Sequence, residues 1–275
     1  MITILDYGAG NVRSVRNAIR KLGFEVVDAS VPEDIINAEK LIFPGVGSFG
    51  LVMGQLRKDG LVEPLIQRIK ENKPFLGICV ALQALFEGSE ESPGVAGLGV
   101  LPGQVKRFSD AKLSVPHIGW NDIKIRKKCS LFDNYGGDKL YFVHSYHGVV
   151  EDVSEEWRLA DSDYGEPFVA AVCRGNIAAF QFHPEKSGNA GLRILERFLV
   201  DEEIVISGPA HNIPDHQTTL AKRIIACLDV RSNDSGDLVV TKGDQYDVRE
   251  GGEVRNLGQP VDLAHRYFSE GADEI

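Results

Sequence analysis

Residues 73–86 pass from an apolar, strand-like stretch (Lys73-Pro74-Phe75-Leu76-Gly77-Ile78) straight into a helix-periodic one (Val80-Ala81-Leu82-Gln83-Ala84-Leu85-Phe86). Cys79 therefore falls on the turn between strand and helix. The opening of the chain alternates in the same way: a strand over 2–5, a Gly-rich turn, a helix over 12–22, a strand over 25–29, a helix starting after Pro32 and a strand over 40–43. Alternation of this kind predicts a parallel α/β sheet. A cysteine on a strand-to-helix turn is the thiol form of a nucleophile elbow. Its sulfur points out of the sheet and sits against the positive end of a helix, which favours the thiolate.

A second segment, Gln181-Phe182-His183-Pro184-Glu185, supplies what such a thiol needs. On an extended strand His183 and Glu185 face the same side, with Pro184 stiffening the link, so the carboxylate can hold the imidazole's tautomer. Alone, a cysteine between strand and helix is ordinarily an inert buried hydrophobe, and a lone His-Pro-Glu says less. Together they are a nucleophile, a base and an orienting acid. Pro44-Gly45-Val46-Gly47 follows a buried strand, and its glycines let the backbone approach something closely. By itself this is an ordinary turn; beside an elbow it predicts an oxyanion role, one amide coming from here and one from Val80 after the nucleophile. The Gly8-Ala9-Gly10-Asn11 turn lacks the third glycine of a dinucleotide fingerprint and the lysine of a P-loop, which argues against nucleotide.

The 275 residues allow one large or two small domains. The formal net charge is −10 and no basic stripe interrupts it, so nucleic acid is not an expected partner. Cys79, Cys129, Cys173 and Cys227 are scattered without paired or metal-like spacing, as free thiols in a reducing compartment are. His144 and His147, three apart on one strand, would face opposite sides, and neither a metal nor a cofactor is expected. Met1 runs directly into the first strand and no apolar run approaches a membrane span. The expectation is a cytoplasmic protein without signal or transit peptide, with the plastid stroma as the alternative if a leader is missing.

With these residues in place the chain resembles the class I, triad-type glutamine amidotransferases. More narrowly it resembles the glutaminase part of the imidazole glycerol phosphate synthases, in their fused eukaryotic form. The narrower likeness rests on Asp6-Tyr7-Gly8-Ala9-Gly10-Asn11, Pro44-Gly45-Val46-Gly47, His117-Ile118-Gly119-Trp120-Asn121, Tyr141-Phe142-Val143-His144-Ser145-Tyr146 and residues 181–188, which cover roughly residues 1–200. It implies a three-layer, flavodoxin-like α/β domain over 1–203 that hydrolyses L-glutamine. It also implies Cys79, His183 and Glu185 as the triad, and the amides of Val46 and Val80 as the oxyanion hole. Gly47, Gln83, His144, Ser145 and Tyr146 would line the glutamine pocket. Trp120 reads by itself as simple core; the resemblance instead turns Trp120-Asn121, with Asn11 and Lys186, toward a synthase domain and its ammonia passage.

From Asp201 the character changes. Residues 204–221 hold Gly208-Pro209, Pro214 and polar residues without periodicity, as a linker does. Residues 222–275 then resemble the start of the cyclase (β/α)8 barrel: a first strand ending at Asp229, a hairpin through Val239-Val240-Thr241-Lys242, and the beginning of a second strand at Gly271-Ala272-Asp273-Glu274-Ile275. By resemblance Asp229 is a general acid/base, Lys242 binds phosphorylated substrate, and Arg223 and Glu274 belong to the charged ring at the ammonia entrance. A closed barrel takes about 250 residues. The expectation is therefore an incomplete barrel, with the phosphorylated ribulosyl intermediate handled only when a complete cyclase is present in cis or in trans. The rival readings are another triad-type amidotransferase and a truncated, non-catalytic or inhibitory binding module. One departure stands out: Ala81 occupies the place of the elbow's usual second glycine, where its methyl is expected to crowd the turn.

Overall fold

The computed structural model describes residues 1–8, 12–109, 113–210, 228–232, 237–241, 249–250, 253–254 and 259–269. The chain divides into two units, Met1–Thr218 and Thr219–Ile275. In the first, β1 (Ile2–Leu5), β2 (Val26–Ala29), β3 (Lys40–Phe43) and β4 (Phe75–Ile78) join four later strands in an eight-stranded sheet. The order runs β2, β1, β3, β4, then Ile177–Phe180, Pro167–Arg174, Arg158–Asp163 and Lys124–Ile125. The first five strands are parallel and the last three continue antiparallel.

The strands are apolar almost without interruption because both faces of the sheet are covered. Ile4, Ile42, Leu76 and Ile78 point to one face, against α1 (Val12–Lys21) and, later in the chain, the helix Gly188–Val200 through Val15, Ile19, Ile194 and Phe198. Their neighbours Leu5, Leu41, Phe43 and Phe75 point to the other. There they meet α3 (Phe49–Lys58), α4 (Val62–Lys70) and α5 (Val80–Ala84), which follow the short α2 (Pro32–Asn37). The period-2 alternation of strand side chains thus makes three layers. At the N-terminal end of the sheet the buried Arg68 guanidinium donates to the carbonyls of Ile35, Ala38, Glu39 and Pro74 at 2.7–3.1 Å, tying the α2–β3 loop to the start of β4.

Three expectations need correction. The elbow helix stops at Ala84 rather than running to Phe86. Its last carbonyls are taken by the amides of Leu98, Val100 and Leu101, which hydrogen-bond to Ala84 and Leu85 at 2.8 Å. The first part of the supposed linker is a strand, Ile206–Pro209, paired with Lys127–Cys129. Gly208 and Pro209 read as breakers, yet both are tolerated because the strand pairs on a sheet edge. In the second unit Asp229 opens the strand Asp229–Ser232 rather than closing one, because main-chain pairing with Leu238–Thr241 runs on past it. That unit also holds the paired segments Arg249–Glu250 and Glu253–Val254 and the helix Pro260–Ser269. Among the described residues no helix is long and apolar enough to cross a membrane.

The methyl of Ala81 finds its room at another position. A Cβ on Gly77 would lie 3.2 Å from the Ala81 Cβ and 3.1 Å from that of Ala179. Glycine at 77 therefore lets α5 lie on β4 with alanine at 81. Gly77→Ala is expected to cost about 1–3 kcal/mol by overpacking, and adding Ala81→Gly to recover part of that loss. Urea unfolding of the two single variants and the double variant measures the coupling; strictly additive effects would contradict this packing.

Candidate active site

Cys79 joins β4 to α5 at φ 55° and ψ −105°, a conformation that a side-chain-bearing residue adopts at a cost of about 1–3 kcal/mol. The surroundings hold it there. Its amide donates to the Phe180 carbonyl at 2.7 Å, and its own carbonyl accepts from Leu82 at 3.0 Å and Gln83 at 3.3 Å. The 44–47 turn leaving β3 lies directly against α5, since a Cβ on Gly45 would fall 2.1 Å from Val80 Cγ1 and 3.4 Å from the Ala81 nitrogen. Gly47 follows at φ 113°. The turn and the elbow thus come together as the sequence predicts.

His183 reaches the same region from the strand Ile177–Phe180. Ser187 fixes it: the Ser187 hydroxyl accepts from the Tyr141 amide at 2.9 Å and donates to the His183 carbonyl at 2.6 Å. Residues Pro184–Lys186 form one 3-10 turn, not the extended strand expected from sequence. Gly191 permits this, because a Cβ there would strike the Pro184 carbonyl oxygen at 2.0 Å. The turn still delivers the expected contact, with His183 Nδ1 2.8 Å from Glu185 Oε1 and both side chains 1% exposed. Nε2 is buried and has no hydrogen-bond partner among the described residues. Burial opposes the imidazolium, but the neighbouring Cys79 and the Glu185 carboxylate outweigh it and push the His183 pKa up to about 10.

These elements open on a cavity of about 690 Å³. Val46, Gly47, Cys79, Val80, Gln83, His144, Ser145, Tyr146 and Lys186 are among the residues that line it. All nine are residues singled out from sequence. A second cavity of similar volume, about 680 Å³, lies at the opposite end of the sheet by Ile69, Trp157 and Arg174 and holds no cysteine or histidine. Trp120 and Asn121 are not in the cavity wall. Trp120 packs edge-on against Tyr141 at 5.9 Å, Lys186 Nζ sits 5.8 Å from the same ring, and the Asn121 amide donates to the Asp163 carbonyl at 2.8 Å. Asn11, Arg223, Lys242 and Glu274 lie outside the described residues, and only the backbone of Asp229 falls within them.

His144 and His147 do not diverge as one strand would require. The strand Leu140–His144 ends before Ser145, and both rings pack on Phe108, with centroids 5.1 and 4.2 Å away. His144 Nδ1 contacts the Tyr146 carbonyl at 2.9 Å, so that nitrogen carries the proton, and Nε2 accepts from His117 Nδ1 at 3.2 Å. Burial holds His144 well below its ordinary pKa and lowers His117 to about 4. Among the described residues no group of three or more His, Cys, Asp or Glu side chains could hold a metal ion.

Three residues escaped the sequence reading. Glu91, in the acidic segment 87–91, reads as a solvated turn; it is the one carboxylate among the described residues lining the cavity, and its Oε2 takes the Phe49 amide at 2.7 Å. Gln181 stands within the His183 segment but drew no role. Tyr7 is buried, its hydroxyl has no hydrogen-bond partner among the described residues, and its pKa is raised first by burial and then by the nearby charges of Cys79 and Asp6.

Residues 3–202 match the family described as glutamine amidotransferase class-I. The chain is 53% identical over 279 residues to a chloroplastic imidazole glycerol phosphate synthase hisHF of Arabidopsis thaliana, and 54% identical over 287 residues to the hisHF protein of Schizosaccharomyces pombe. All of this chain is covered in both, but only 47% and 53% of those relatives, so it spans about half their length. An imidazole glycerol phosphate synthase subunit HisH of Syntrophotalea carbinolica is 46% identical over 205 residues, covering 72% of this chain and 98% of the subunit. Among solved structures, a glutamine amidotransferase (TM-score 0.55, 23% identity) and PurLQS from Thermotoga maritima (TM-score 0.56, 20% identity) each cover 72% of the chain and 99% and 96% of their own. At that identity they bear on the fold alone.

The electrostatics make two expectations. A histidine held neutral by burial destabilises the fold once the unfolded state takes up the proton, so stability should decline as pH falls from about 6.5 to about 4. His117→Gln should make the decline shallower; denaturant unfolding at stepped pH reads the slope, and an unchanged slope would contradict a buried neutral His117. His183 has the opposite sign. Its ring resonance should titrate near pH 10, with Glu185→Gln moving the midpoint down, whereas a wild-type midpoint near 6.5 would contradict the charge balance described.

Proposed function

Because the chain belongs to the class-I glutamine amidotransferase family, we propose that it hydrolyses the side-chain amide of L-glutamine with Cys79, His183 and Glu185. The observation that carries this reading is the elbow. Cys79 is held at φ 55° on the wall of the cavity, beside a buried histidine whose far nitrogen is bound by a carboxylate. His183 takes the thiol proton and the sulfur attacks the amide carbon. The backbone amides of Val46 and Val80 hold the oxyanion; such donors typically contribute about a hundredfold or more each. As the C–N bond breaks, the departing nitrogen takes the proton from His183 and leaves as ammonia. His183 then removes a proton from water, water cleaves the thioester, and glutamate leaves with the thiol restored.

Gly47, Gln83, His144, Ser145 and Tyr146 form the walls against which glutamine lies. Glu91, whose second carboxylate oxygen is not used by the Phe49 amide, supplies the countercharge for the α-ammonium. The released ammonia serves a cyclase barrel, in cis or in trans, in imidazole glycerol phosphate synthesis, as the names of the relatives suggest. On this reading Asp229 and Lys242 belong to the cyclase chemistry, and a phosphorylated ribulosyl intermediate is used only with a complete barrel. On the same reading the glutaminase extends through the strand Ile206–Pro209, a connection follows it, and barrel residues begin at 222. Both the cytoplasm and the plastid suit such a protein, the Arabidopsis relative being described as chloroplastic.

Ammonia release from L-glutamine, measured on the full chain with and without a separately supplied cyclase barrel, tests this function. Cys79→Ser should lower the rate by about 10³-fold or more, and a glutamine-like electrophile should label Cys79 ahead of Cys129, Cys173 and Cys227. Full activity in the serine variant, or first labelling of another cysteine, would overturn the assignment.

A further inference from the structure

Beside the Cys79 sulfur, at 3.6 Å, lies the side-chain nitrogen of Gln181, a residue with no exposed surface. Which end of that amide faces the sulfur follows from its neighbours. The Tyr146 carbonyl can only accept, so the Gln83 atom 2.9 Å from it is the NH2. The same NH2 lies 3.1 Å from a side-chain atom of Gln181, which must then be the oxygen. Turning either amide around would set donor against donor or acceptor against acceptor. The Gln181 NH2 is thereby locked toward the sulfur. Gln83 is also buried, so the lock is shielded from water, and the Gln181 backbone amide is itself pinned to the Ala170 carbonyl at 2.9 Å.

We propose that Gln181 is a further catalytic residue, whose Nε2–H donates a hydrogen bond to the Cys79 thiolate both before attack and when the thioester is cleaved. This rests on Cys79 being the nucleophile. An N–H donor favours an anionic sulfur strongly and an uncharged thioester sulfur weakly. It therefore raises the fraction of thiolate available for attack. In the second half-reaction the water oxygen bonds to the acyl carbon, the C–S bond breaks, and the sulfur departs with the electron pair. The donor holds that charge until His183 returns the proton it took from water. A better-stabilised thiolate is a better leaving group, so the donor speeds thioester hydrolysis in particular. The chain of amides ends on the carbonyl of Tyr146, in the cavity wall, so the group that orients the sulfur is braced against the surface where substrate lies.

The test is the pH profile of Cys79 alkylation by iodoacetamide, read by mass spectrometry of the Cys79 peptide in the full-length chain. Gln181→Met keeps the bulk and removes the donor; the alkylation midpoint should rise by about one pH unit, which is tenfold less thiolate at a pH below both midpoints. Gln181→Glu keeps an acceptor for Gln83 and turns acceptor oxygens toward the sulfur, so its midpoint should rise at least as far. Acid quench during glutamine turnover should find more γ-glutamyl thioester in both variants than in the wild type. A residue that merely packs would change none of these once the variants are shown to fold by thermal melting, and should the methionine variant not fold, the glutamate variant decides. An unshifted midpoint in a folded variant overturns the role of Gln181. Failure of the wild-type Cys79 to react ahead of the other cysteines would instead overturn its assignment as nucleophile.

Discussion

The chain passes from β4 to α5 through a single residue held at positive φ, and most of the site depends on that turn. A cysteine does not adopt φ 55° and ψ −105° unaided, and a cost of about 1–3 kcal/mol has to be met by the surroundings. The Phe180 carbonyl fixes the Cys79 amide from the neighbouring strand, and Leu82 and Gln83 take up its carbonyl. Close approach does the rest. Gly77 gives α5 room to lie on β4, and Gly45 gives the preceding turn room to lie on α5. The absent side chains at 45 and 77 are thus as much a part of the elbow as the thiol, because with a Cβ at either position the sulfur, the Val80 amide and the 44–47 turn would separate.

Around this turn the protein keeps two populations of histidine. His117, His144 and His147 are driven toward the neutral form by burial, so their nitrogens act as fixed donors and acceptors rather than as charges. His183 is just as deeply placed, yet Cys79 and Glu185 reverse the outcome. The same low-dielectric surroundings serve both purposes: they penalise a charge without a partner and strengthen one that has a partner. The neutral cluster shapes the wall next to Ser145 and Tyr146, while the charged pair sits beside the thiol. Gln83 and Gln181 connect the two regions through amides whose direction admits no choice.

The fold was legible because strand and helix periods alternate cleanly over the first 86 residues, and because a strand buried on both faces shows itself as an unbroken apolar run. Cys79 and the His183–Glu185 pair were legible as candidate residues because each sits in a local context that carries meaning. The path of residues 184–186 was not, since it depends on Ser187 and Gly191 and on contacts across the sheet rather than on the proline alone. His144 and His147 were misjudged because a break at Ser145 resets the strand alternation. Glu91 was invisible in an acidic segment that reads as solvated, and Gln181 because an amide's role lies in the direction it faces. The strand at Ile206–Pro209 was hidden by its own glycine and proline, which an edge tolerates.

The central claim is that the elbow thiol becomes covalently acylated by glutamine. Rapid acid quench of the full chain mixed with L-glutamine, followed by peptide mapping, reads it directly. The account predicts a γ-glutamyl group on Cys79 that forms before glutamate accumulates and vanishes as glutamine is exhausted. Glutamate and ammonia produced with Cys79 never modified, or with the adduct on another residue, would contradict it.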